Sequence, residues 1–195
     1  MKFSIRNHQE AVSINETFWN GAFTYASKEL NIEHHHAEVV CFFFPMSTER
    51  KVKFKLFSLG ATGLTDLGAM FYVLSGGPAG RMIKTFFHEM THVKQLLMGE
   101  LVEKPRHRLW KGGQFDKKEY ADAPWEKEAN AFSDKAYEQF LRREVTRVMA
   151  DESVHAYHPA ILQLRCMFVQ DDVFRLTQEV HREREKHALA SSPRD

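Results

Sequence analysis

The sequence predicts an α+β fold: a small sheet packed on one strongly amphipathic helix, followed by a helical carboxy-terminal part. Three observations carry the expectation. Apolar runs of strand length fall between residues 38 and 74. A helical apolar pattern then fills 82–97, with His-Glu-Met-Thr-His inside it. Beyond Asp122 the apolar spacing is helical almost to the end.

Residues 1–38 are mixed in character, with a weak helical reading from Glu16 to Leu30. Glu38 to Phe44 is short and rich in Val and Phe, and Pro45 ends it, as expected of a buried strand. Val52, Phe54, Leu56 and Ser58 alternate with Lys51, Lys53 and Lys55. That period of two marks a half-buried strand. Leu67 to Leu74 is a third strand, stopped by Ser75-Gly76-Gly77-Pro78. Met82, Phe86, Met90, Val93 and Leu97 then step by four, four, three and four, with Gly99 where a helix cap belongs. Residues 100–121, with Pro105, Gly112 and Gly113, read as a long loop. Asp122 is the expected cap of the next helix, with Pro124 in its first turn. Trp125, Ala129, Phe132, Ala136 and Phe140 line one face of it. Pro159 opens a further helix, and Asp171 or Asp172 caps the last, which runs towards Lys186.

The chain has 195 residues, 43% hydrophobic and 27% charged, enough for one globular domain with its own core. Formal net charge is +1, which gives no bulk signal for nucleic acid. The local basic cluster is Lys104, Arg106, His107, Arg108 and Lys111. Two cysteines, Cys41 and Cys166, allow one disulfide by count, but Cys41 lies in an apolar run and reads as core. The first ten residues lack the apolar stretch of a signal peptide, and no run approaches the roughly 20 residues of a membrane span. The expectation is a protein that stays in the cytoplasm of the cell that makes it.

The chemistry centres on His88-Glu89-Met90-Thr91-His92. Residues four apart share a helix face, so both imidazoles can reach one Zn2+ ion. Glu89 lies one position on and points beside the metal, where it can take a proton from an activated water. Catalytic zinc usually has three protein ligands and one open position. Candidates for the third are Glu126 and Glu128, or a further His among His107, His155 and His158. Glu126 and Glu128 are turned about 200° from each other on a helix, so both cannot serve one ion.

His88-Glu89-Met90-Thr91-His92 followed by Glu126-Lys127-Glu128-Ala129-Asn130 resembles the gluzincin metallopeptidases. The Glu-Ala-Asn-Ala-Phe and Pro-Trp-Glu wording is similar to small cytoplasmic regulatory metalloproteases and phage-encoded metallopeptidases. The resemblance covers roughly residues 50–140, with 141–190 as a helical extension of the same single domain. It implies a zincin-like fold, with a small mixed sheet on the active-site helix. By that resemblance Glu126 is the third zinc ligand, Asn130 orients His88, and Glu89 is the general base of peptide hydrolysis. It also implies that a protein or peptide substrate adds as a strand to a sheet edge, for which Leu67 to Leu74 is the natural candidate.

Oxyanion stabilisation needs a further donor, for which Tyr120, His107 and Arg106 are open alternatives, each with an ordinary structural role as well. His34-His35-His36 reads as a solvated segment. Trp125 is expected to pack beneath the active-site helix. The other class of function open to this sequence is a zinc-binding regulatory or interaction protein without turnover, using the basic 104–111 segment for contact. A weaker third is a phage structural component with a vestigial domain.

Overall fold

The structure is a computed structural model and describes residues 1–6, 16–45, 60–75, 79–116, 122–150 and 158–191. Its architecture is mixed α+β. Two small sheets and five helices are present among the described residues. The chain divides into two compact units. One contains Met1–Gly77 and Arg81–Tyr137, the other Pro78–Gly80 and Glu138–Asp195.

In the first unit, β1 (Lys2–Arg6), β2 (Glu38–Pro45), β3 (Gly60–Thr65) and β4 (Gly68–Ser75) form a sheet in the order β1-β2-β4-β3. β1 and β4 each pair with β2 in parallel, and β3 pairs with β4 antiparallel. Alternation decides which face is inside. Val39, Cys41 and Phe43 of β2 are buried, as are Ala69, Phe71 and Val73 of β4. That face packs on α1 (Glu16–Glu29) and α2 (Ala79–Leu97). Trp19 of α1 lies 4.7 Å from Phe43 and 5.1 Å from Phe86 of α2 between ring centroids, and Phe71 lies 5.3 Å from Phe86. Each such aromatic contact adds about 0.5–1.5 kcal/mol beyond its buried area. These contacts fix α2 against the sheet. The helix stops where expected, because Gly99 adopts a left-handed φ of 66° that a side chain would resist.

The long loop expected over 100–121 is instead a second sheet. β5 (Leu101–Glu103), β6 (His107–Trp110) and β7 (Gly113–Asp116) make an antiparallel meander. Lys111 and Gly112 have φ of 47° and 85°, the pair of positive values that a two-residue hairpin turn requires. The strands are three and four residues long, too short for alternation to show in the sequence. Trp125 packs under this meander, 5.7 Å from Phe115 and 6.3 Å from Trp110, with Leu101, Ala123 and Leu96 around it. It packs beneath the meander, and Leu96 of α2 belongs to the same cluster.

α3 (Pro124–Val148) begins at Pro124. Its first helical bond runs from Lys127 N to the Ala123 carbonyl, so Ala123 holds the cap position and Asp122 lies one residue outside, exposed and 3.5 Å from Lys127. The helix continues from the first unit into the second. In the second unit α4 (Pro159–Met167) is capped by His158, whose Nδ1 accepts from Ala160 N. α5 (Gln170–Ser191) starts ahead of the expected caps. Asp171 and Asp172 lie inside its first turn, where their charge complements the helix dipole. Leu141, Val145, Leu164, Phe168, Val173 and Leu176 are buried there. Arg175 holds both oxygens of Glu138 at 2.9 Å.

No helix among the described residues is long and apolar enough to cross a membrane. Cys41 is buried, Cys166 is exposed and both are free thiols. The alternating segment 52–58 and the Gly76-Gly77-Pro78 turn lie outside the described residues.

Candidate metal centre

His88 and His92 fall one turn apart on α2, and their Nε2 atoms come within 3.0 Å of each other. Glu126, in the first turn of α3, faces both. Its Oε2 is 3.3 Å from His88 Nε2 and its Oε1 is 3.5 Å from His92 Nε2. One ligand atom from each of the three lies within 4.8 Å of the others. Atoms bound at about 2.05 Å in a tetrahedral shell lie about 3.3 Å apart, so the spacing suits one zinc ion. The chemistry of the donors suits it too: two imidazole nitrogens and a carboxylate are a known catalytic zinc set. Among the described residues no other group of three His, Cys, Asp or Glu side chains is so placed.

A neighbouring amide faces the Nδ1 side of His92. Gln95 Nε2 donates to the Trp125 carbonyl at 3.0 Å and to Glu128 Oε2 at 2.8 Å. With its NH2 group engaged, its Oε1 is left facing His92 Nδ1 at 2.7 Å. An Nδ1–H donating to that oxygen would leave Nε2, once it gives up its own proton, free to bind a metal. Glu128, the rival third ligand, is thereby placed away from the centre. It bonds Gln95 and, at 3.3 Å, Lys94.

Glu89 lies beside the three donors and is 3% exposed. Thr62 Oγ1, on β3, donates to its Oε2 at 2.6 Å. Gly60, also on β3, leaves room for it. A Cβ there would come within 2.5 Å of Glu89 Oε1. Burial pushes the Glu89 carboxyl up, and the pull of His92, the Thr62 hydrogen bond and His88 only partly offsets this. At His92 burial pulls the imidazole down, but the Glu126 hydrogen bond and the charges of Glu89 and Glu126 outweigh it and leave it raised. Burial, then the nearby Glu89 charge, holds the Cys41 thiol well above its ordinary range, so Cys41 is a core thiol.

Not every expected residue reaches the site. Asn130 is exposed and lines the opening beside His88, but no hydrogen bond joins the two side chains. Tyr120 and His155 lie outside the described residues. His107 starts β6 opposite Asp116, and His158 caps α4, so neither joins the donors. His34 and His35 contact Glu33 and Met98 instead. The strand expected to offer its edge, β4, is interior to the sheet, paired on both sides. Among the described residues the edge on that side is β3. Thr62, Gly60 and Gln95 were the residues missed. Gln95 shares a helix turn with His92, and that spacing was the one available signal.

No protein-family model, no curated protein and no solved structure matches this chain.

Proposed function

We propose that this chain is a zinc-dependent metallopeptidase of the gluzincin type, built on a zincin-like fold. The observation that carries the reading is the convergence of His88, His92 and Glu126 with a separate buried carboxylate, Glu89, beside them. A merely structural metal site has no need of that fourth group. His88, His92 and Glu126 would hold the ion. Bound there, zinc would polarise the scissile carbonyl and acidify water to a pKa of about 7. Glu89 takes the proton released from the attacking water and returns it to the leaving amine. Thr62 holds the Glu89 carboxylate in place, and Gly60 keeps the space around it open. The β3 edge offers backbone hydrogen bonds to an extended protein or peptide substrate. The basic segment gives little support to a nucleic-acid partner. Arg108 pairs with Glu103, and Lys111 lies near Glu100 and Glu128.

The test is metal content and peptide turnover in the wild type and in Glu89→Gln. About one zinc per chain in both, with turnover lost at least a hundredfold in the variant, is the expected result, on the scale of general acid–base catalysis. Zinc in both proteins with no turnover by either on a broad peptide library would replace the hydrolase with a zinc-binding regulatory protein.

A further inference from the structure

Two cavities with different linings meet at the candidate centre, and both are lined by Glu89 and Glu126. The first, about 510 Å³, lies on the His92 side. Its walls are largely apolar, with Leu96, Leu101, Val102 and Trp125. That volume is within the range of small-ligand sites. Apart from the residues of the centre itself, its charged lining is one ion pair. Arg108 pairs with Glu103 and sits 5.5 Å over the Trp125 ring. Away from the centre, an apolar group gains from burial there.

The second cavity, about 420 Å³, lies on the His88 side and is lined almost wholly by polar and charged residues. Lys84 there is bound to Asp134 at 2.8 Å. Arg81 is exposed and pairs with no carboxylate among the described residues. No acidic residue occupies the first turn of α2, so the positive end of that helix is also uncompensated by its own side chains. Arg81, Thr85, His88 and His92 follow one another along one face of α2. Seven residues of helix separate Arg81 from His88 by about 10.5 Å. An extended peptide covers that distance in about three residues.

We propose that the two cavities read one extended peptide. A large apolar side chain beside the cleaved bond fills the Trp125 cavity, and a carboxylate about three residues away, across that bond, pairs with Arg81. This assignment rests on the peptidase reading of the centre. The carboxylate is supplied by an Asp or Glu side chain or by the peptide's own terminus.

Binding separates the two ideas. Zinc-loaded Glu89→Gln protein is titrated with a fluorescein-labelled peptide carrying Phe and, three residues on, Asp. Companion peptides carry Ala for Phe, Lys for Asp, or Ala for Asp with a free or an amidated carboxy terminus at that distance. We expect about tenfold weaker binding for each side-chain loss, with the free terminus restoring what the amide does not. Arg81→Glu should reverse the Asp-over-Lys preference, and Val102→Asp should remove the Phe-over-Ala preference. Wild-type cleavage of a mixed peptide library, mapped by mass spectrometry, should show the same two preferences. Selective binding without cleavage would remove the hydrolase and keep the cavities. Cleavage without either preference, or an Arg81→Glu protein with unchanged charge preference, would overturn the cavity assignment and keep the hydrolase. Neither binding nor cleavage would overturn both.

Discussion

Gln95 sits three residues after His92, and its amide looks two ways. The NH2 group is held by the Trp125 carbonyl and Glu128, and the oxygen faces His92. Its orientation therefore depends on α3, the helix that also supplies Glu126. Replacing Gln95 with Leu removes the acceptor for His92 Nδ1–H and frees the ring to adopt the wrong tautomer. We expect zinc affinity to fall about 10–100-fold, as is usual for partners of metal-bound histidines. Competition against a chromogenic chelator measures it, and an unchanged affinity would refute the role. Gly60 acts on the neighbouring carboxylate. In Gly60→Ala the new methyl group collides with Glu89 Oε1 unless that side chain moves. We expect zinc content to stay near one per chain while turnover drops at least tenfold, since small displacements of catalytic groups are costly. Loss of zinc together with turnover would instead mean that β3 supports the metal donors. At this scale the sequence was partly legible. The His88–His92 spacing follows from helix geometry, which also says that Glu126 and Glu128 cannot both serve one ion; the preference for Glu126 came from the resemblance. Thr62 and Gly60 were not legible, because they come from β3 and only folding brings them to Glu89 on α2.

Legibility among elements followed length and periodicity. α2 covers 19 residues with an apolar face that repeats cleanly, and its extent was readable. β2, with three Phe and two Val in eight residues, and β4, apolar from Ala69 to Leu74, were readable too. β3 reads Gly-Ala-Thr-Gly-Leu-Thr, and two glycines in six residues hide an edge strand behind a loop-like composition. β1 has only five residues and gains its place by pairing with β2 in parallel, a contact 36 positions away that no local pattern announces. The meander hides behind its short strands, although Lys111-Gly112-Gly113 was a turn signal. That turn now has a measurable job. Gly112 holds a φ of 85°, so Gly112→Val should cost about 1–2 kcal/mol locally. Hydrogen exchange should show the loss in β6 and β7, with α1 and β2 unaffected. Unchanged protection in the meander would mean that the Trp125 cluster alone holds it.

At the scale of the whole molecule, the donors and the carboxylate beside them belong to the unit made of Met1–Gly77 and Arg81–Tyr137. The single domain expected from length divides into two compact units, a division that composition does not announce. Anything that binds the folded state and not the unfolded one stabilises it by mass action. Zinc at a thousand times its dissociation constant should add about 4 kcal/mol to the opening of the elements it joins. Those elements are α2 and the amino-terminal part of α3, because His88 and His92 lie on one and Glu126 on the other. α4 and α5 contribute no donor. Hydrogen exchange with and without zinc tests the division directly. We expect strong added protection across α2 and the start of α3, removed again by chelator, and little change in α4 and α5. An equal gain in all of them would show that the two units open together. A gain confined to α2 would show that Glu126 does not bind the ion, leaving a two-histidine site unable to close the shell proposed here.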